Sequence, residues 1–413
     1  MPTLIRPLRG LGPAPGRAAD VIAPPYDVLN SAEARIRARG RPDSFLHISR
    51  PEIDLPEGTG LYEPVVYARA AGNFRRMIDA RVLVRDDEPC YYVYRLRMGD
   101  HVQTGIVCAG SVAAYDANRI RRHEYTRPDK EDDRVRQITA LNAQTGPVLL
   151  AYKPDSRVRE ILAGAASSRP LHDATADDGI VHTLWRIGDA ASIAELSRLF
   201  DTMPALYIAD GHHRSASASR VAAALRARAT RATGTESFEY FLCVAFPADE
   251  MKILDYNRVV KDLRGATAGE FMARIGTSFA VEPAAGQARP TAPGEFGMYL
   301  GGAWHRLRIR RELVPADPVA SLDVSLLQDH LLGPVLGIAD PRTDKRIDFV
   351  GGMRGLGELE KRVDSGEMAV AFALYPTRMD ALMAVADANQ VMPPKSTWFE
   401  PKLADGLVSH VLD

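Results

Sequence analysis

The residues best suited to chemistry stand together at Asp210-Gly211-His212-His213-Arg214, between the apolar run Ala205 to Ala209 and an Ala/Ser-rich run from Ser215 to Ala229. The first run reads as a strand and the second as a helix. A glycine at such a junction lets the backbone turn tightly and approach a ligand, and the first turn of a helix offers N–H groups with no intrahelical partner. Together these form an anion socket. Arg214 adds a fork suited to phosphate, His212 and His213 add donors, and Asp210 is placed to bind magnesium or accept a hydroxyl proton. Those are the parts that phosphoryl transfer requires. The bland alternative is a helix cap, one buried histidine and an ion pair for Arg214. A zinc site is the other alternative, but adjacent histidines on one helical turn point in different directions.

Two further clusters carry chemistry. Arg122-His123-Glu124-Tyr125-Thr126, followed by Lys130, Asp133 and Arg134, gathers donors and acids more densely than solubility requires. Glu124 is a second candidate base, and His123, Thr126, Lys130 and Arg134 are candidate phosphate contacts, against the ordinary reading of a charge run as a solvated helix face. Near the C-terminus, Pro393-Pro394-Lys395-Ser396-Thr397-Trp398-Phe399 with Lys402 joins a rigid turn to cations, hydroxyls and aromatics. Lys395 and Ser396 either contact phosphate or clamp the tail onto the core. A Walker-type reading fails because no glycine-rich loop precedes them. Pro24-Pro25-Tyr26-Asp27 and Asp340 to Asp344 read as turns. No G-x-S-x-G, H-E-x-x-H, C-x-x-C or G-x-G-x-x-G stands in a suitable context, which argues against serine hydrolases, zincins and dinucleotide oxidoreductases.

The elements that must position these residues follow from periodicity. Helical spacing runs from Leu61 to Val82, and Cys90 to Met98 alternates as a strand, with Gln103 to Ala113 as its hairpin partner. A helix begins after Pro128, strands cover Gly146 to Tyr152 and Val181 to Ile187, helices cover 156–166 and Asp189 to Leu199, and Phe238 to Phe246 is a buried strand. The Pro-rich first 60 residues read as an ordered loop, and Ala284 to Gly297 as a linker or long surface loop. A chain of 413 residues exceeds what one core usually supports. The expected division is 1–200, an N-terminal region contributing charged site residues; 201–283, the segment that carries the Asp210 box; and 284–413, a C-terminal region.

The 52 basic and 53 acidic residues nearly cancel, so no overall field draws the molecule to nucleic acid or anionic lipid. Cys90, Cys108 and Cys243 are far apart in sequence, which predicts reduced, buried thiols instead of a disulfide framework or zinc site. The N-terminus lacks the apolar core of a secretory signal and no window approaches a membrane span, so a cytoplasmic protein is expected.

Ala23-Pro-Pro-Tyr-Asp-Val28, Ser44-Phe-Leu-His47, His123-Glu124 with Thr126 and Asp133-Arg134, Ala209 to Arg214, and Met392 to Thr397 occur in the order that resembles the domain of unknown function 1015 family. The Asp-Gly-His-His-Arg box is further similar to the nucleotide-binding box of the ParB/sulfiredoxin superfamily, especially that of free-serine kinases, which phosphorylate L-serine. The resemblance implies an α+β fold of mixed sheets and helices with a nucleotide-binding core, ATP or ADP with magnesium, and a small-molecule acceptor. It places Asp210, His212, His213 and Arg214 around the transferred phosphoryl group, with Gly211 among the phosphate-binding candidates of the same box. Sulfiredoxins carry a cysteine in their version of the box, and this chain has none there, which argues against sulfinic-acid reduction. The alternatives are a ParB-like nucleotide-binding regulator and a nucleotide hydrolase. The regulator predicts a basic DNA-binding element, and no helix-turn-helix with a basic recognition helix is evident.

Overall fold

The computed structural model describes residues 3–231 and 233–413. The chain is an α+β protein of mixed sheets and helices, divided into two compact units. The first comprises residues 1–251 and 401–413, and the second residues 252–400. This differs from the expected three-part division. The expected boundary at 200/201 falls inside the first unit, between the Ala190–Thr202 helix and the Leu206–Asp210 strand. The first unit is also discontinuous: the chain leaves it after Met251 and returns at Pro401, a closure that no local composition signals.

The first unit is built on a nine-stranded sheet, counted among the described residues. Along the sheet the strands run Ile120–Arg121, Leu206–Asp210, Val148–Tyr152, Tyr240–Pro247, His101–Ser111, Tyr91–Met98, Val181–Ile187 and His172–Thr175, with Ile5–Arg6 also on His101–Ser111. Leu206–Asp210 pairs parallel to Ile120–Arg121 and antiparallel to Val148–Tyr152, with an irregularity in register between Ile208 and Asp210. The central strands are apolar on both faces because helices cover them, and Ile106, Cys108, Leu150, Ile208, Cys243 and Ala245 share one core. Cys108 and Cys243 stand directly opposite each other as free thiols, with sulfurs 3.4 Å apart. Their separation of 135 residues had hidden that pairing.

The expected elements recur with small shifts. The helix over 61–82 is Pro64–Asp79, burying Val66, Tyr67, Ala70, Phe74 and Met77 at helical spacing. The helix after Pro128 is Pro128–Leu141, ended by Asn142 in the left-handed conformation. The first 60 residues are more regular than a loop: Ser31–Ala38 is a helix with a reciprocal capping box between Asn30 and Glu33. A small sheet of Leu83–Arg85, Gly10–Pro13, Ser409–Val411 and Ala143–Gln144 ties the returning C-terminal tail into the first unit.

The second unit is a six-stranded antiparallel sheet ordered Phe279–Ala284, Ala303–Ile309, Glu295–Leu300, Val370–Leu374, Tyr256–Val260 and Ile347–Gly351. The stretch 284–297, expected as a linker, is a connection inside this unit. It runs between two strands, with Ala288 buried against the sheet. Among the described residues no helix is long and apolar enough to cross a membrane.

Candidate functional site

The His212–Arg226 helix begins three residues earlier than its apolar pattern implied. Gly211 caps it at φ +98°, a conformation that side-chain-bearing residues rarely adopt, and a Cβ there would lie 3.2 Å from Arg214 Nε and 3.3 Å from Val148 Cα. The glycine therefore serves both the turn and the seating of Arg214. The helix's first turn, with its N–H groups that lack intrahelical partners, follows the strand-terminal Asp210 after Gly211 alone.

Asp210 Oδ2 lies 3.4 Å from Lys402 Nζ and 3.8 Å from Arg214 Nη2. Burial alone would raise its pKa, but Lys402, then Arg214 and His212, outweigh that and hold the carboxyl well below the usual carboxylate range. Arg214 also donates through Nη1 to the Pro147 carbonyl. Lys402 was noted in the sequence beside the Pro-Pro-Lys-Ser-Thr segment but not assigned to the Asp210 box. It arrives through the returning tail, 192 residues away, and no local signal marks the pairing.

The two histidines are fixed by the loop that leads into the Pro128–Leu141 helix. The His123 backbone N–H donates to His212 Nε2 at 3.4 Å, and the Arg127 N–H donates to His213 Nε2 at 3.1 Å. Each ring thus accepts at Nε2, and the hydrogen bonding assigns the proton to Nδ1. For His212, Nδ1 points toward Glu124 Oε2 at 3.8 Å. Burial, then neighbouring His123, pushes His212 well below the ordinary histidine range, and burial lowers His213 as well. His212 is therefore a neutral donor at pH 7. His123, expected at the phosphate, is buried edge-on to the His212 ring with centroids 4.5 Å apart, and burial lowers its pKa to about 4. It supplies packing and no positive charge.

The remaining residues of the charged block divide by side chain. Glu124 is half exposed at the mouth of this arrangement. Thr126 donates to Glu131, and Lys130 Nζ donates to Tyr62 Oη at 3.0 Å. Arg134 forks onto Asp133 through Nε and Nη2 at 2.9 and 2.6 Å, stacks 3.9 Å from the Tyr26 ring centroid, and is nearly buried. Ser217 Oγ donates to the Glu131 carbonyl at 3.1 Å, locking the two helices together.

Lys395 and Ser396, expected as phosphate contacts, belong to the second unit. There Arg258 donates to the Lys395 carbonyl at 2.9 Å, Ser396 Oγ donates to the Pro393 carbonyl at 2.5 Å, and Lys395 sits at φ +60°. The chain's departure at Met251 and return at Pro401 puts them in the second unit and Lys402 in the first. Among the described residues no group of three or more His, Cys, Asp or Glu is arranged to hold a metal ion. Asp210 stands as one carboxylate, which suits a magnesium ion that takes its other ligands from nucleotide phosphates and water.

A strand, a glycine at positive φ and a helix N-terminus thus stand beside an ionised aspartate flanked by a lysine and an arginine, in an α+β framework. Residues 5–325 match the model of the family described as protein of unknown function (DUF1015), and the chain belongs to that family. Among solved structures it is similar to a conserved hypothetical protein from Pyrococcus furiosus, at TM-score 0.35 and 14% identity, covering 74% of this chain and 94% of that one. A free serine kinase in complex with AMP gives TM-score 0.34 and 12% identity over 73% and 92%. SbnI with a C-terminal truncation, from Staphylococcus aureus, gives 0.39 and 11% over 73% and 86%. No curated protein matches the chain.

Proposed function

We propose that this protein is a nucleotide-dependent small-molecule kinase that transfers phosphate from ATP or ADP to a free hydroxyl, with L-serine as the acceptor that the box's resemblance implies. The observation that carries the reading is the ionised Asp210 held between Lys402 and Arg214 at the N-terminus of the His212–Arg226 helix. Phosphoryl transfer needs positioning and charge neutralisation more than covalent chemistry, and this box concentrates both.

The roles divide by electrostatics. A carboxyl held far below its ordinary range is a weak base, so Asp210 organises charge and contributes one oxygen to magnesium, while the half-exposed Glu124 takes the hydroxyl proton. Backbone N–H groups of the helix's first turn, Arg214 and His213 would hold the phosphates, with Lys130 and Thr126 at the rim. His212, neutral, orients Glu124 through Nδ1.

The test incubates the purified protein with ATP, magnesium and a panel of hydroxyl-bearing metabolites, following phosphate transfer by mass spectrometry. The expected result is one phosphorylated acceptor, with transfer reduced by about 10²-fold or more in Glu124→Gln. If no acceptor is phosphorylated and Asp210→Asn or His213→Ala leaves nucleotide affinity untouched, the reading fails.

A further inference from the structure

The Val148–Tyr152 strand meets the Asp210 box near its start, where Leu149 pairs with Asp210 and Gly211 approaches Val148. At its other end, beside Tyr152, a separate pocket opens in the first unit. The sequence explains the opening. Tyr240–Pro247 pairs in register with His101–Ser111 from Tyr240 opposite Ser111 to Ala245 opposite Ile106, so continuing that register would set Pro247 against Thr104. Proline has no N–H to give such a rung, and the ladder stops. The Thr104 N–H donates instead to Glu250 Oε2 at 2.8 Å. The Ser156–Ala165 helix covers the gap with Leu162 and Ala163 and leaves a volume of about 160 Å³. That is room for a ring-sized molecule, since an apolar cavity of about 150 Å³ takes up benzene.

The polar groups lining this pocket are unequally satisfied. Arg159 meets Asp249 through Nη2 at 3.0 and 2.9 Å and Glu250 through Nε at 3.5 Å, so the charges at the rim answer one another. Arg95 has no such acid. It donates through Nε to Thr104 Oγ1 at 3.1 Å and lies 5.0 Å from the Trp185 ring centroid, and among the described residues no carboxylate pairs with it. Its two terminal nitrogens keep their donors free. Tyr152 is 1% exposed and packs edge-on to Phe200, yet its hydroxyl has no hydrogen-bond partner among the described residues. Burial holds that hydroxyl protonated, well above the ordinary tyrosine range, so it is a donor in want of an acceptor. Glu250 also lines the pocket, but its two oxygens are engaged by Thr104 and Arg159.

One uncompensated cation and one unpaired hydroxyl beside Leu162, Ala163 and Pro247 call for an acceptor with a single negative charge on an apolar body. We infer that this pocket binds a small monocarboxylate with a compact apolar body, its carboxylate accepting from Arg95 and the Tyr152 hydroxyl and its body lying against Leu162, Ala163 and Pro247. The site is independent of the kinase reading, because the pocket and Asp210 lie toward opposite ends of one strand.

Calorimetric titration of the full chain tests this with three probes: benzoate, benzamide, which keeps the ring without the charge, and acetate, which keeps the charge without the ring. Benzoate is expected to bind at least about tenfold more tightly than either. Arg95→Met, which keeps an apolar stem on Trp185, should weaken benzoate about tenfold and leave benzamide unchanged, and Tyr152→Phe should weaken benzoate about threefold. Ala163 is exposed on its helix, so Ala163→Phe fills the pocket without entering the core and should abolish benzoate binding, which separates this site from any anion held at the Asp210 box. The inference is overturned if benzoate does not bind, if benzamide or acetate binds as well, or if Arg95→Met or Ala163→Phe leaves the benzoate affinity intact.

Discussion

Two aspartates, Asp405 buried and Asp210 one-third exposed, stand near Arg214, and their surroundings drive them in opposite directions. Asp210 ends a strand and faces Lys402, Arg214 and a helix N-terminus, so burial is overcome and the carboxyl is kept ionised. Asp405 lies in the returning tail, where Arg214 and Arg134 act on it without a direct hydrogen bond to Oδ1, Asp27 opposes them, and burial wins. The difference teaches that a carboxylate's protonation follows from the donors placed against it as well as from its depth, and that one arginine can act on two carboxylates with opposite outcomes.

The largest expected effect that sharpens this contrast is at Asp210. Asp210→Asn should cut phosphate transfer by about 10²-fold or more and destabilise the fold by about 1 kcal/mol at pH 7.5, because it removes the charge that Lys402 and Arg214 face at a one-third-exposed carboxylate. Asp405→Asn should do the opposite to stability, raising it by about 2 kcal/mol at the same pH by removing a charge that burial disfavours. Denaturant unfolding of both variants measures this, and shifts of the same sign would break the comparison.

Gly211→Ala is expected to cost about 2 kcal/mol, from the left-handed backbone and the close approach to Arg214 and Val148. Midpoints of urea unfolding report it, and a neutral outcome would mean the turn is not constrained as described. The pH dependence is smaller and has a definite sign. The folded-state pKa of Asp405, about 7, lies above its ordinary value of 3.8, so its contribution is present at low pH. That contribution is lost as pH rises from about 4 through about 7. The wild-type minus Asp405→Asn stability difference should therefore fall across that window and stay flat above it; a difference independent of pH would contradict the raised pKa. Smallest of all, Lys130→Ala at the rim should change stability by less than about 0.5 kcal/mol, since its bond to Tyr62 is largely solvated.

Much of the framework was legible because its signals are local. The alternation of Tyr91 to Met98, Pro128 at a helix start and the apolar run into Asp210 each depend on neighbours within a few residues. The start of the His212–Arg226 helix was read three residues late because His-His-Arg carries no apolar period; the cap lies in Gly211's backbone conformation. Lys402 and Asp405 were not legible as site partners, because they reach the box only through the tail's return to the first unit. Lys395 and Ser396, seven and six residues before Lys402, lie on the other side of that return, in the second unit. A short polar segment carries no mark of the core to which it belongs.

The central claim is that the Asp210 box moves a phosphoryl group onto a hydroxyl. Phosphorus NMR of the protein with ATP, magnesium and L-serine tests it most directly. The prediction is a phosphomonoester signal that grows as ATP declines, and its near absence with Asp210→Asn. ATP loss to inorganic phosphate alone, or a signal that persists undiminished in Asp210→Asn, would contradict it.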